Sequence, residues 1–351
     1  MKYRNLRRGL GRASDSLRSV SKVARGMATY LWRGEVGFDT WEEFLRLHCR
    51  TNGWSTEILR RVARRLKPPA AKIQPFTSIL GAFDSAKLND ISEQIRRDGY
   101  YIFPNLVPQA ICSEIMEKAR STEGWTRWHG EGYETVPVFD PAHPITPRYV
   151  MPEAKIWQID AYQRLVADPL FVNLSQSYFG GMPLLKDISL WWSSVTGGPP
   201  DDDAAQLFHF DFEPIPIWLK FFVYLNDVTS TSGPHVFVKG SHRLRHEKAG
   251  ALIRRGYVRI SDEEIAATFG KENLIELTGR AGTVFVADTM GFHKGKLPEA
   301  GERVVAQIQY AMPFFVPVRS NPLPLPRQLE PGLVAARAAY PWAFARYPLS
   351  T

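Results

Sequence analysis

The sequence predicts a mainly β protein, a sandwich or jelly roll with flanking helices and a helical N-terminal extension, and three observations predict it. From about residue 156 onward, short apolar or alternating runs recur at 188–192, 207–212, 218–225, 235–238, 274–277, 283–287 and 304–311. Turn sequences separate them, among them Gly197-Gly198-Pro199-Pro200, Ser232-Gly233-Pro234 and Gly240-Ser241, and many short strands with such punctuation make a sandwich or jelly roll. Upstream of this region the apolar spacing is helical instead. Finally, 351 residues that are 44% hydrophobic and 23% charged can bury a sizeable core, which excludes wholesale disorder, collagen and coiled coil. No apolar run reaches the roughly 18 to 20 residues that span a bilayer.

In chain order, Leu6, Leu10, Ala13, Leu17, Val20, Ala24, Met27 and Leu31 follow one another at steps of three or four, one face of a helix. Seven basic residues between Arg4 and Arg25 surround that stripe, with Asp15 the one acid before Glu35. Such a segment fits a helix docked on the body, a helix lying on an anionic membrane surface, or an Arg-rich organelle-targeting peptide. Residues 41–50 read as a helix opened by the capping pair Thr40 and Glu43. A second, basic helix starts near Ser55 and ends at Pro68-Pro69, and a third runs from Ser85 to Arg97 and stops at Gly99. Residues 100–103 form a short strand, and Pro108 opens a helix to about Ser121. The aperiodic, aromatic-rich stretch 124–154 reads as a long loop. One helix, 262–269, interrupts the β region, and the Pro-rich tail after Pro313 reads as a surface wrap. The resulting division is an extension over 1–80, a β domain over 81–315 and a tail over 316–351.

Charge is unevenly placed. Residues 1–72 carry a net +11 and the remainder a net −3, out of a total of +8. The body therefore lacks the overall basicity of a phosphate-tracking surface, and no nucleic-acid partner is expected. Two cysteines, Cys49 and Cys112, give neither a disulfide framework nor a Cys-based zinc site. They fit small buried hydrophobes in a reducing, cytoplasmic setting, with peripheral membrane contact through residues 1–34 an open alternative.

The chemistry concentrates in four residues. His209 and Asp211 sit two apart in an apolar β run, so both point to one face. With a second histidine they complete a 2-His-1-carboxylate triad, which holds Fe(II) and leaves coordination positions open. His293, which follows the run 283–287, supplies it. Arg303 opens the next strand and can present a planar fork to a carboxylate, which lysine does poorly. Taken singly these are a core histidine, a turn aspartate and a surface arginine; together they suit iron plus a dicarboxylate co-substrate. Trp191 and Trp192 alternate faces, so one can line a cavity, and Trp191 is the choice. Gln307 shares a strand face with Arg303. His235 reads as part of the sandwich, His242 as a structural loop residue, His246 as solvated, His129 and His143 as loop residues, and Asp201-Asp202-Asp203 as a solvated loop.

The run 217–243, IWLKFFVYLNDVTSTSGPHVFVKGSHR, with the order His-x-Asp, Gly-Ser-His, distal histidine and arginine, closely resembles the phytanoyl-CoA dioxygenase family. The resemblance extends from about Asp98 to about Ala311. It implies a double-stranded β-helix (jelly-roll, cupin-like) that binds Fe(II), 2-oxoglutarate and O2, with His209, Asp211 and His293 on iron and Arg303 on the distal carboxylate of 2-oxoglutarate. It also implies Gln206 as the polar residue ahead of the His-x-Asp pair, Phe222 as an aromatic beside the co-substrate, and Lys155 as a contact to its other end. Gly295 departs from the pattern, since several relatives carry a hydroxyl there. Family members that halogenate usually have Gly or Ala at the carboxylate position, so Asp211 implies hydroxylation of a small-molecule or lipid-like substrate, with release of succinate and CO2. A catalytically silent jelly-roll binding module and a cupin-like metalloenzyme without 2-oxoglutarate are the alternatives.

Overall fold

A computed structural model describes residues 13–33, 36–128, 133–136, 140, 143–199, 205–213, 215–256, 258–314 and 325–347. Leu6, Leu10, His129 and the aspartates 201–203 lie outside these. Helices α1 (Ala13–Arg33), α2 (Phe38–Arg50) and α3 (Trp54–Leu66) lead to a hairpin of β1 (Phe76–Ser78) and β2 (Gly81–Phe83). Then come α4 (Ser85–Asp98), β3 (Tyr100–Ile102), α5 (Gln109–Ser121), β4 (Thr126–Trp128), β5 (Tyr133–Thr135), β6 (Arg148–Val150), α6 (Glu153–Ile156), α7 (Asp160–Ala167) and α8 (Pro169–Phe179). The remainder is β7 (Leu184–Ser193), β8 (Trp218–Tyr224), β9 (His235–Val238), α9 (Glu247–Ile253), α10 (Asp262–Phe269), β10 (Leu274–Leu277), β11 (Val284–Ala287), β12 (His293–Gly295), β13 (Arg303–Ala311) and α11 (Pro331–Ala339).

Two antiparallel sheets form the jelly roll. The larger has eight strands in the order β3-β11-β8-β13-β7-β6-β4-β5, and the smaller has three, β10-β9-β12. Both faces of the central strands are buried, so a simple polar-apolar alternation is absent. On β13, Val304, Ala306, Ile308 and Tyr310 join the apolar cluster under the helices, whereas Arg303, Val305 and Gln307 face a cavity on the other side. On β8, Leu219, Phe221 and Val223 take the helix side and Lys220, Phe222 and Tyr224 the cavity side. Phe171 of α8 packs on Phe221 at 4.9 Å, and the Tyr162 hydroxyl on α7 donates to the backbone carbonyl oxygens of Ser189 and Gln307 at 2.9 and 2.8 Å.

Several expectations change. The run 207–212 is not a strand: Phe208 and His209 make single bridges to Ile260 and His293. Residues 160–179, expected to lie in the β region, form α7 and α8, and α9 adds a further helix. The stretch 124–154 contributes three short strands to the large sheet. Helix α2 starts ahead of Thr40 with Gly37 at its N-cap and no side-chain cap. Glu43 instead turns inward, where it accepts from Ser19 Oγ at 2.6 Å, Lys22 Nζ at 3.0 Å and Arg46 Nη1 at 2.7 Å. That network rotates α1 away from its expected stripe. Ser19 and Gly26 are buried against α2, and Val23, Met27 and Tyr30 pack on the core, while Val20 and Leu31 are exposed. The tail does not merely wrap the surface, because Leu325, Leu333, Ala343, Phe344 and Tyr347 belong to the main core.

Candidate metal centre and active site

The loop before β8 and the first residue of β12 are joined by a reciprocal backbone pair. His209 N–H donates to His293 O at 3.0 Å, and His293 N–H donates to His209 O at 2.8 Å. Asp211 N–H donates to Thr289 O at 2.8 Å, which fixes the third residue on the same turn. These bonds replace the expected strand and bring the three side chains together, with ligand atoms all within 4.8 Å of one another. Asp211 carboxylate oxygens lie 3.9 Å from His209 Nε2 and 3.6 Å from His293 Nε2.

Each imidazole is oriented by its own loop. His209 Nδ1 lies 2.9 Å from Leu207 O, and His293 Nδ1 lies 2.9 Å from Gly291 O. A carbonyl can only accept, so the proton sits on Nδ1 and the Nε2 lone pair is presented to the cluster. Burial lowers the proton affinity of both rings, and for His209 the neighbouring His293 and Arg259 lower it further. Burial opposes ionisation of Asp211, but the Lys220 ammonium beside it holds the carboxyl well below its ordinary range. Two neutral imidazoles and an ionised carboxylate on one side of a cavity are the donor set for a divalent metal, and the residues fit ferrous iron.

Lys220, not anticipated from the sequence, donates to Asp211 Oδ2 at 2.6 Å. It belongs to a buried network with Glu213, which also pairs with Lys186 and accepts from Gln309 at 2.7 Å. Period-two reading outward from Phe222 would have exposed Lys220 and Tyr224 as inward-facing.

Arg303 lines the same cavity, of about 340 Å³. It is buried, donating from Nη1 to Gly233 O and from Nη2 to Ser193 Oγ, the latter at 3.2 Å. Its Nε is a buried donor without a hydrogen-bond partner, a group that calls for an acceptor. Burial pushes its proton affinity down to about 10, which leaves it cationic at neutral pH. Gly295 explains its own departure from the pattern: a Cβ there would lie 2.8 Å from Arg303 Nη2. Bare backbone makes room for the guanidinium, and the hydroxyl near Arg303 comes from Ser193.

Trp191, Phe222 and Gln307 line the cavity as expected. Lys155 does not: it is exposed on α6, outside the cavity wall. The cavity wall carries Arg148 instead, which pairs in register with Ser193 and sets its guanidinium 4.7 Å from the Trp191 ring centroid. Gln206 is buried but stands outside the cavity lining, where Ala205 appears instead. Thr146, Arg148 and Arg259 also line it, in segments with no periodicity to flag them. His235, assigned to the sandwich, is a wall residue, its ring stacked on His293 at 5.2 Å and set against Phe222 at 5.1 Å. His242 is structural, its Nε2 3.2 Å from Arg96 O. His246 caps α9 through Nδ1, and His143 pairs with Asp140 on the surface.

The model of the phytanoyl-CoA dioxygenase (PhyH) family matches residues 95–296. Among solved structures, the non-heme alpha ketoglutarate dependent epimerase SnoN from nogalamycin biosynthesis is similar at 21% identity and a TM-score of 0.45, over 65% of this chain and 82% of that one. AviO1 from Streptomyces viridochromogenes Tue57 is similar at 17% identity and a TM-score of 0.44, over 66% and 97%. EctD from S. alaskensis, solved with 2-oxoglutarate and 5-hydroxyectoine, is similar at 17% identity and a TM-score of 0.45, over 70% and 81%. No curated protein sequence matches the chain. With more than half its length matched and the His-x-Asp and distal histidine brought together in the fold, the chain belongs to the phytanoyl-CoA dioxygenase family.

Proposed function

We propose that this protein is an Fe(II)- and 2-oxoglutarate-dependent dioxygenase that hydroxylates a C–H bond of a small-molecule or lipid-like substrate. The carrying observation is the pairing, across one cavity, of a pre-oriented His209–Asp211–His293 set with the buried cation Arg303. Iron bound by these three side chains supplies O2 activation coupled to decarboxylation of 2-oxoglutarate to succinate and CO2. The protein's part is positioning and exclusion. Arg303 would donate to the distal carboxylate, with Ser193 Oγ beside the guanidinium, and Phe222 would offer the co-substrate an apolar ring on the cavity wall. Lys220 donates to Asp211 Oδ2, which leaves Oδ1 as the carboxylate oxygen that would hold the metal. Trp191, Tyr224 and Phe285 form an apolar wall, and Arg148 and Arg259 add cations that suit an anionic group on the substrate.

Anaerobic titration with Fe(II) and 2-oxoglutarate tests this reading. A weak visible charge-transfer band is expected for the chelated complex, absent in Asp211→Ala and requiring at least about tenfold more 2-oxoglutarate in Arg303→Ala. Iron binding without the band would point to a cupin-like enzyme that does not use 2-oxoglutarate. No iron binding would point to a silent scaffold.

A further inference from the structure

Helix α3 has two apolar faces where a docked surface helix needs one. Its inner face buries Thr56, Leu59 and Ala63 against the body. There Arg60 Nε donates to Pro216 O at 2.7 Å, and Arg64 Nε donates to Phe179 O at 2.8 Å. On the outer side Trp54, Ile58, Val62 and Leu66 follow at steps of four and are 51, 44, 37 and 49% exposed. Twelve helical steps make that stripe about 18 Å long. Single exposed hydrophobics are ordinary, but four large ones in a line on one helix mark an interaction surface.

The charges beside the stripe select its partner. Arg61 and Arg65 are exposed along it, and Lys67 is half-buried at its end. The one acid of the helix, Glu57, is spent on Arg61 at 3.0 Å. A second exposed apolar step lies at the end of α1, where Leu31 and Trp32 are 66 and 79% exposed and Arg33 sits over the Trp32 ring. A self-complementary contact between two copies would bring together two stripes that each carry a basic surplus, Arg61, Arg65 and Lys67 against the single acid Glu57, which like-charge repulsion disfavours. A nucleic-acid backbone would leave the apolar stripe in water. A bilayer with anionic headgroups satisfies both features at once, since it takes large apolar side chains at the acyl boundary and arginine and lysine at the phosphates.

We propose that α3 is a membrane-surface helix, seating Trp54, Ile58, Val62 and Leu66 at the headgroup boundary of an anionic phospholipid bilayer, with Arg61, Arg65 and Lys67 on the phosphates. The inference stands independently of the reaction. It moves the contact from the expected stripe of residues 1–34, part of which is turned into the fold, to a helix whose apolar line is exposed along its length.

Co-sedimentation of the full chain with vesicles tests it. We expect binding to phosphatidylcholine vesicles containing roughly 30% phosphatidylglycerol, little binding to phosphatidylcholine alone, and weakening between about 0.1 M and about 1 M salt. Ile58→Glu with Val62→Glu should lower that binding by about tenfold or more, and Arg61→Glu with Arg65→Glu should remove its salt-sensitive part. Unchanged circular dichroism and thermal midpoint certify that these exposed substitutions leave the fold intact. Failure of the wild-type chain to sediment, or equal sedimentation of the Ile58/Val62 variant, overturns the proposal. A dimer in sedimentation velocity that the same variant dissociates overturns it in favour of a second copy. Binding to labelled duplex DNA that outcompetes the vesicles and survives Ile58→Glu with Val62→Glu overturns it in favour of nucleic acid.

Discussion

Gly295 shows how a single missing side chain shapes the cavity. With Arg303 Nη2 only 2.8 Å from where a Cβ would stand, Gly295→Ser should push the guanidinium off its Gly233 and Ser193 partners. The expected result is about a tenfold weaker 2-oxoglutarate affinity, about 1.4 kcal/mol, with Fe(II) affinity unchanged, measured by calorimetric titration of each ligand. His48 gives the pH prediction. Burial, with a smaller push from Arg60, lowers its proton affinity to about 3 from an ordinary value near 6.5. The unfolded chain therefore takes up a proton near pH 6.5 that the folded chain refuses. This contribution to stability is fully present above that pH and is lost progressively as pH falls toward 3. His48→Gln should flatten the decline in denaturant midpoint between pH 6.5 and 4, whereas an unchanged slope would assign it to other groups. At this scale the cluster of His209, Asp211 and His293 and the cavity position of Arg303 were legible because residue identity and order carry them. Lys155 was misplaced because a four-residue helix turns it outward, and Arg148 was invisible because its segment has no period.

Helix α4 and strand β3 meet at Gly99, whose φ of +93° closes the helix and whose missing Cβ keeps clear of the Phe237 ring, 2.5 Å from an added carbon. The same corner anchors two loops of the site region, since Gly240 N–H donates to Asp98 O at 2.8 Å and Asp288 N–H to Gly99 O at 2.9 Å. Gly99→Ala is expected to cost about 2–4 kcal/mol, read as a drop in chemical-denaturation midpoint, and to loosen metal binding as well. An intact midpoint would show that the corner relaxes. Strands with turn punctuation were readable from sequence, and β10 and α10 fall where expected. Helix α8 was not, because residues on all its sides are buried and leave no polar stripe. Its end signals were nonetheless present: Asp168 caps it, Pro169 opens it and Gly180 closes it in the left-handed region. The run 207–212 misled in the other direction, since alternating apolar residues served a loop pinned by single bridges.

Across the molecule, one apolar core runs from Val36 and Trp41 through the sheet to Phe344 and Tyr347. Composition could announce a core of this size but not that the helices before residue 66 and the segment 325–347 both enter it, because those contacts join residues far apart in sequence. Truncation after Phe314 would strip Leu325, Leu333, Ala343, Phe344 and Tyr347 from that core. Loss of several fully buried side chains at about 2–5 kcal/mol each exceeds a typical domain's stability. The truncated chain is expected to be insoluble or protease-labile, and a well-folded product with an unchanged thermal midpoint would show the tail to be dispensable. The reciprocal backbone bonds between His209 and His293 have a further consequence. A seat shaped by the main chain needs no metal to assemble it, so little folding energy is available to reward one ion over another. Imidazole and carboxylate donors take nickel and cobalt more tightly than ferrous iron. Selection would then fall to cellular supply rather than to the site, and protein passed over a nickel resin should come away carrying the wrong ion and regain its ferrous chemistry only after chelation and reloading.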